Sequence, residues 1–416
     1  MASTENVNTN RLLFFDNVRY LIVFMVVAFH TSLSYCNLTP WWWAVDSNKS
    51  KILDNMVLIN DIYMMPVMFF VAGFFTLASL QKKGSIDFLK GKFRRLGIPW
   101  ILGVLFIGPI LTYIQHYTRY LSDNLSPMGY GSFWSQYIQT AFEFPLGAYS
   151  RSAGQFSQHQ FWFLSQLLFF FMIFCAVYEL VRKFAGNTMH QKDSTPPTNS
   201  SIFLSLSVFW CAVFVGHFIL SEFFTDSQYI TVFHLLQFRP FLFYTTLCYF
   251  VFGVFVFSKG WFTYGLNMGK MSIWVPVSIV LSIIYINYIL NLLTDPSPGQ
   301  GFLLFHTFIR SFLGLSLLVV ITTFTSIFMN KPVGINNKLS DSSFNIYIIH
   351  SMFVVPLVLL LLPWSAPVLI KFGIVTIVSI ALSFGVSNYL MKPYPRLSVA
   401  VLITLFVLMV LGINPS

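Results

Sequence analysis

Apolar runs long enough to cross a bilayer recur along the chain, at about 18–36, 56–80, 96–114, 160–181, 202–220, 241–258, 272–293, 303–328, 344–362, 368–391 and 397–413. Short polar or basic segments separate most of them. The period-two alternation that a barrel needs is absent. In lipid only closed hydrogen-bonding units survive, so the runs predict helices. The expected fold is an all-α polytopic membrane protein with about 10–11 transmembrane helices. The turns at 363–367 and 392–396 are short, so the helices they join are antiparallel neighbours. Two connections are long. Residues 115–159 carry aromatics and Gly, and part of this stretch is expected to fold over one mouth of the bundle. Residues 184–201 include Asp193-Ser194-Thr195-Pro196-Pro197, the composition of a flexible linker. No internal repeat is visible, which argues against a transporter built from two related halves. The chain therefore reads as a single membrane-embedded domain over 1–416, with a polar tail at 1–15, a loop at 115–159 and a linker at 184–201.

Composition sharpens the class. Apolar residues make up 56% of the chain and charged ones only 9%, against about 25% charged in a soluble domain. Forty-eight Phe and ten Trp suit lipid-facing surface and interfacial belts. The net charge of +10 does not point to nucleic acid, because the basic residues fall in short clusters between apolar runs. Such clusters report orientation. With the N-terminus placed in the cytoplasm, 17 of the 24 Lys and Arg fall in inner segments, Lys192 and Lys331 among them. The expected setting is a multi-pass cell membrane protein, in a bacterial inner membrane, with the 1–15 tail and the 184–201 linker inside and 115–159 outside. No cleavable signal peptide is recognisable. Cys36, Cys175, Cys211 and Cys248 form no CxxC pair, so neither a disulfide framework nor a metal site is expected.

Candidate chemistry lies where ionisable residues enter the apolar runs. Arg19 and His30 are eleven residues apart, which brings both to one face of a helix with a rise of about 16 Å. An ionisable residue at membrane depth is a functional candidate, although a helix-end Arg and a core His bonded to a carbonyl would give the same spacing. The stretch Lys90-Gly91-Lys92-Phe93-Arg94-Arg95-Leu96-Gly97-Ile98-Pro99 runs into the next apolar segment, so Lys92 and Arg95 can point along a helix into the protein. Arg19, Lys92, Arg94 and Arg95 together would suit a polyphosphate, since guanidinium forks bind phosphate bidentately. Asp61 could orient a histidine, pair with Arg310 or cap an interface. Gly73 suits close helix packing. Trp162 opens one helix; Tyr347 stands one turn before a second intramembrane histidine, His350. His30, Asp61 and His350 are the catalytic candidates, and Trp162 and Tyr347 the substrate-binding ones. For His217, His234, His306 and Arg310, structural or interfacial roles fit better.

These segments, taken together, resemble the acyltransferase-3 family of integral membrane acyltransferases. The features that carry the likeness are Asp16 and the Arg19-to-His30 spacing, Arg95-Leu96-Gly97-Ile98-Pro99, Trp162-Phe163-Leu164, and Tyr347-Ile348-Ile349-His350. Met65-Pro66-Val67-Met68-Phe69-Phe70-Val71-Ala72-Gly73-Phe74-Phe75 is similar to the glucans biosynthesis protein C branch. The resemblance implies transfer of an acyl group from cytoplasmic acyl-CoA to a hydroxyl of an extracytoplasmic glycan, with succinyl-CoA favoured over acetyl-CoA. It implies that Arg19 and the basic stretch hold the CoA phosphates and that His30 is the catalytic histidine. One departure is visible. The family's Arg-x-x-Arg reads Lys92-Phe93-Arg94-Arg95 here, and Lys keeps the charge without the fork. Chemistry fits the same picture, since a hydroxyl attacking a thioester needs a base near neutral pH. Whether His30 is that base or carries the acyl group stays open. The competing readings are a proton-coupled transporter using His30, Asp61 and His350, and an acyltransferase acting on a lipid or small metabolite.

Overall fold

The structure is a computed structural model that describes residues 12–412 except 124, 145–146, 151–153, 186–195, 227, 233, 293–298 and 331–333. The chain folds into α1 (Leu13–Ser32), α2 (Lys51–Lys83), α3 (Ser85–Leu121), a short α4 (Tyr130–Gln139) and α5 (Trp162–Ala185). Then follow α6 (Asn199–Ser221), α7 (Pro240–Ser258), α8 (Met271–Leu292) and α9 (Gln300–Phe328). Last come α10 (Gly334–Ile349), α11 (Ser351–Leu361), α12 (Val368–Met391) and α13 (Pro395–Gly412). Among the described residues, ten helices are each long and apolar enough to span a membrane. The pair α10 and α11, bent by 64° at His350, would make an eleventh span.

The expected runs become helices that extend several residues beyond them. Hydropathy marks only the part that sits in hydrocarbon, whereas the backbone goes on closing hydrogen bonds until a turn residue stops it. Thus α1 starts at Leu13, with Phe14 and Phe15 buried, so the last three residues of the expected 1–15 tail are helical; residues 1–11 are outside the described residues. α3 runs on to Leu121, so the 115–159 segment begins as helix. Residues 186–195, the centre of the expected linker and the site of Lys192, lie outside the described residues, as do Lys331, Arg11 and Arg151.

A small antiparallel sheet caps the bundle at the His30 end. β1 (Ala148–Ser150) pairs with β2 (Gln228–Val232), which pairs with β3 (Leu236–Phe238). The register sets Tyr149 opposite Tyr229 and Thr231 opposite Gln237.

α2 is the central helix. It crosses α7 closely because two glycines face each other's backbone. A Cβ on Gly73 would lie 2.0 Å from the Phe250 carbonyl oxygen, and one on Gly253 2.2 Å from that of Phe70. Small residues at such crossings let backbones approach, the main attractive device where lipid already solvates apolar side chains. Phe69, Phe70 and Phe74 pack into the core around this crossing. The outer helices instead present large apolar side chains: Phe203 is 69% exposed, Ile377 69% and Leu411 71%. In a chain with spanning helices those faces meet lipid. All four cysteines are free, with Cys36 and Cys175 buried.

Candidate active site

Two histidines from distant parts of the chain meet inside the bundle. His30 lies near the end of α1, and His350 sits at the break between α10 and α11. His350 Nε2 is 2.8 Å from His30 Nδ1, and the rings stack at 4.9 Å. His350 is fully buried, while His30 keeps partial access. The break explains how an imidazole can be held there. Beside the bend His350 Nδ1 lies 2.8 Å from the Tyr347 carbonyl and 3.2 Å from that of Ile346, which also accepts the His350 backbone N–H.

Those carbonyls assign the protons. A carbonyl only accepts, so His350 Nδ1 donates. In the neutral ring His350 Nε2 is then an acceptor. The hydrogen bond between the rings must be given by His30 Nδ1–H. The lone pair of His30 is left on Nε2. Two backbone carbonyls thereby fix, through one imidazole, which nitrogen of the next is basic.

The wall on one side of His30 comes from the segment between α1 and α2. Trp42 lies parallel to the His30 ring, with centroids 5.6 Å apart and planes 8° apart. Trp43 packs on Trp42 at 4.1 Å and meets His159 edge-on at 5.0 Å. His159 Nε2 is bonded to Thr112 Oγ1 at 3.0 Å and to the Tyr137 hydroxyl at 2.9 Å. This segment is strapped down. Gln115 Nε2 donates to the Trp42 carbonyl at 3.0 Å. Lys371 of α12 pairs with Asp46 at 2.8 Å, with side chains 0% and 2% exposed. The cover over His30 is therefore this segment in the first place; the 115–159 stretch reaches the site through His159 and Tyr137.

The basic residues gather at the other end of α1. Arg19 is held by Asp16 at 3.0 Å and lies over the Phe75 ring at 5.0 Å. Lys92 lies over Phe171 at 4.0 Å and Phe88 at 5.0 Å, and Arg95 over Phe344 at 5.6 Å. Arg95, Arg19 and Lys83 all act electrostatically on Lys92. The cluster is real in space, but Lys92 and Arg95 do not share one straight helix face. A π-helical turn over Phe93–Gly97 starts directly after Lys92 and contains Arg95, and the wider turn fans the two toward different neighbours. Arg94 is exposed.

Geometry gives specific partners to three of the expected site residues. Asp61 does not orient His30. Its carboxylate sits 3.4 Å from Arg310, whose guanidinium also holds Asp226 at 2.9 Å. A carboxylate at this depth pairs with the nearest fixed cation, and Arg310 answers two at once. Tyr347 is buried, and its hydroxyl donates to the Gln160 carbonyl, so it ties α10 to the entry of α5. Trp162 stacks on Phe69 of α2 at 6.3 Å while keeping partial access. Sequence reading passed over Trp42 and Asp46. The Trp41-Trp42-Trp43 run was visible, but in an interfacial position it reads as an anchor, and nothing local signals that its middle ring folds back onto His30.

The acyltransferase domain shared by the acyltransferase-3 proteins matches residues 12–388, from the start of α1 to the end of α12. The chain belongs to the acyltransferase-3 family. It is a membrane acyltransferase, and both histidines and the whole basic cluster fall within the family's domain. No curated protein and no solved structure matches this acyltransferase.

Proposed function

We propose that this acyltransferase moves an acyl group, succinyl in preference to acetyl, from cytoplasmic acyl-CoA to a hydroxyl of an extracytoplasmic glycan. The observation that carries the reading is the 2.8 Å contact of His350 Nε2 with His30 Nδ1, from which the proton order leaving a lone pair on His30 Nε2 follows. That is the state of a general base, ready to accept the acceptor's proton as the hydroxyl attacks the thioester.

The rest of the site supports the same assignment. Arg19, Lys92 and Arg95, with exposed Arg94, offer cations at one end of α1 for an anionic CoA head. Lys92 and Arg95 are seated on aromatic rings, which hold a long cation in place without neutralising it, and Arg19 lies over Phe75 while paired with Asp16. From Arg19 to His30 the helix rises about 16 Å, within reach of a pantetheine arm. The thioester then meets the base from one side and the acceptor from the other. No metal takes part in this scheme, and the glycan need not cross the bilayer.

The test is thiol release by purified protein in lipid, comparing succinyl-CoA with acetyl-CoA for wild type and His30→Ala. Release that depends on His30 supports the reading, and the preferred thioester names the acyl group. His30→Ala is expected to abolish transfer while keeping acyl-CoA binding. Normal turnover by that variant would overturn the assignment.

A further inference from the structure

Trp42 carries an anomaly. The residue is 7% exposed, yet its indole Nε1 finds no hydrogen-bond partner among the described residues. A buried Trp N–H ordinarily has one, because a donor stripped of water and left unpaired is costly. The orphaned donor is not in a remote corner. It belongs to the ring that lies parallel to His30 at 5.6 Å. It is also fixed in place. Trp43 backs it at 4.1 Å, Gln115 holds its carbonyl at 3.0 Å, and the buried Asp46–Lys371 pair anchors the segment four residues on. A rigid, desolvated donor beside a general base is what an acyl-transfer site needs for the negative charge that forms on the carbonyl oxygen.

We propose that Trp42 is a catalytic residue whose indole N–H stabilises the oxyanion of the tetrahedral intermediate. The inference rests on the proposed acyl-CoA reaction. In the first step the acceptor oxygen bonds to the thioester carbonyl carbon and gives its proton to His30 Nε2. The carbonyl π pair moves onto oxygen, where the Trp42 N–H meets it. In the second step the pair returns, the C–S bond breaks, and the departing CoA sulfur takes the proton from His30. The products are the ester and free CoA. The N–H without a partner at rest finds one in the reacting oxygen, and that bond strengthens as charge develops, which favours the transition state over the bound thioester.

The experiment measures kcat and KM for thiol release by Trp42→Phe and by protein in which the Trp42 indole is replaced by its benzothiophene isostere. The isostere keeps the bicyclic shape and lacks only the N–H. Both should lower kcat by about 100-fold, the loss typical of removing one oxyanion donor, with KM for acyl-CoA within about twofold. If Trp42→Phe fails to fold, the isostere alone decides. Isostere turnover within threefold of wild type would overturn the proposal and leave Trp42 as a wall. If wild type itself shows no His30-dependent release, the acyl-CoA reading fails and this inference falls with it. A normal isostere with an active wild type removes this inference only.

Discussion

The buried Asp46–Lys371 pair sets a quantitative test of how the cover over His30 is held. The side chains are 2% and 0% exposed and 2.8 Å apart, and Asp46 also accepts the Asn48 backbone N–H at 2.9 Å. Lys371→Met removes one charge and leaves a carboxylate in a site closed to water. Breaking such a pair costs about 3–5 kcal/mol, most of it the desolvation of the stranded partner. Removing both charges strands neither, and replacing a buried pair by apolar residues of similar volume is neutral or stabilising by about 1–4 kcal/mol. Asp46→Leu with Lys371→Met should therefore be more stable than Lys371→Met alone, although it carries more changes. Thermal unfolding of purified protein in detergent should order the three as Lys371→Met lowest, with the double variant near or above wild type. Raising salt to 1 M should leave the order intact, because buried charges are barely screened. The single variant should also lose His30-dependent thiol release, since the segment it frees carries Trp42. A Lys371→Met protein that melts with wild type, or a double variant less stable than the single one, would refute the argument.

Other expectations follow from the same geometry. His350→Phe removes the acceptor of the His30 Nδ1–H, so the tautomer is no longer held; kcat should fall by about 100-fold or more while acyl-CoA KM stays within about twofold, as steady-state thiol release would show. Arg95→Ala should weaken acyl-CoA binding, and Arg95→Lys should recover only part of it because the guanidinium plane on Phe344 is lost; isothermal titration in nanodiscs reads both. Gly73→Ala places a methyl 2.0 Å from a backbone oxygen that no rotamer change can move, so a loss at or above the usual 1–3 kcal/mol of overpacking is expected as a lower melting temperature.

How much of this was legible along the chain differs by feature. The number and order of the spans could be read because each is decided by local composition: about twenty apolar residues close their own hydrogen bonds wherever they sit in lipid. The basic cluster was legible for the same reason, as a dense run entering an apolar stretch. Arg19 and His30 could be put on one face because the helical period is local geometry. Gly73 could be read as a packing glycine, but not that Gly253 answers it.

The partners of those residues were not legible. His350 is 320 residues from His30, and the contact exists because α10 breaks at His350 and turns its imidazole toward α1. Asp61 was read as able to meet a histidine, Arg310 or an interface; only the packing of α9 against α2 chose Arg310. The Trp42 stack and the Asp46–Lys371 pair depend on a connection without helix folding back into the bundle. Hydropathy determines which segments enter the membrane, because transfer free energy adds residue by residue. It does not determine which faces meet, because that depends on side-chain fit and hydrogen bonds between segments far apart in the chain, and such terms exist only once the helices are assembled.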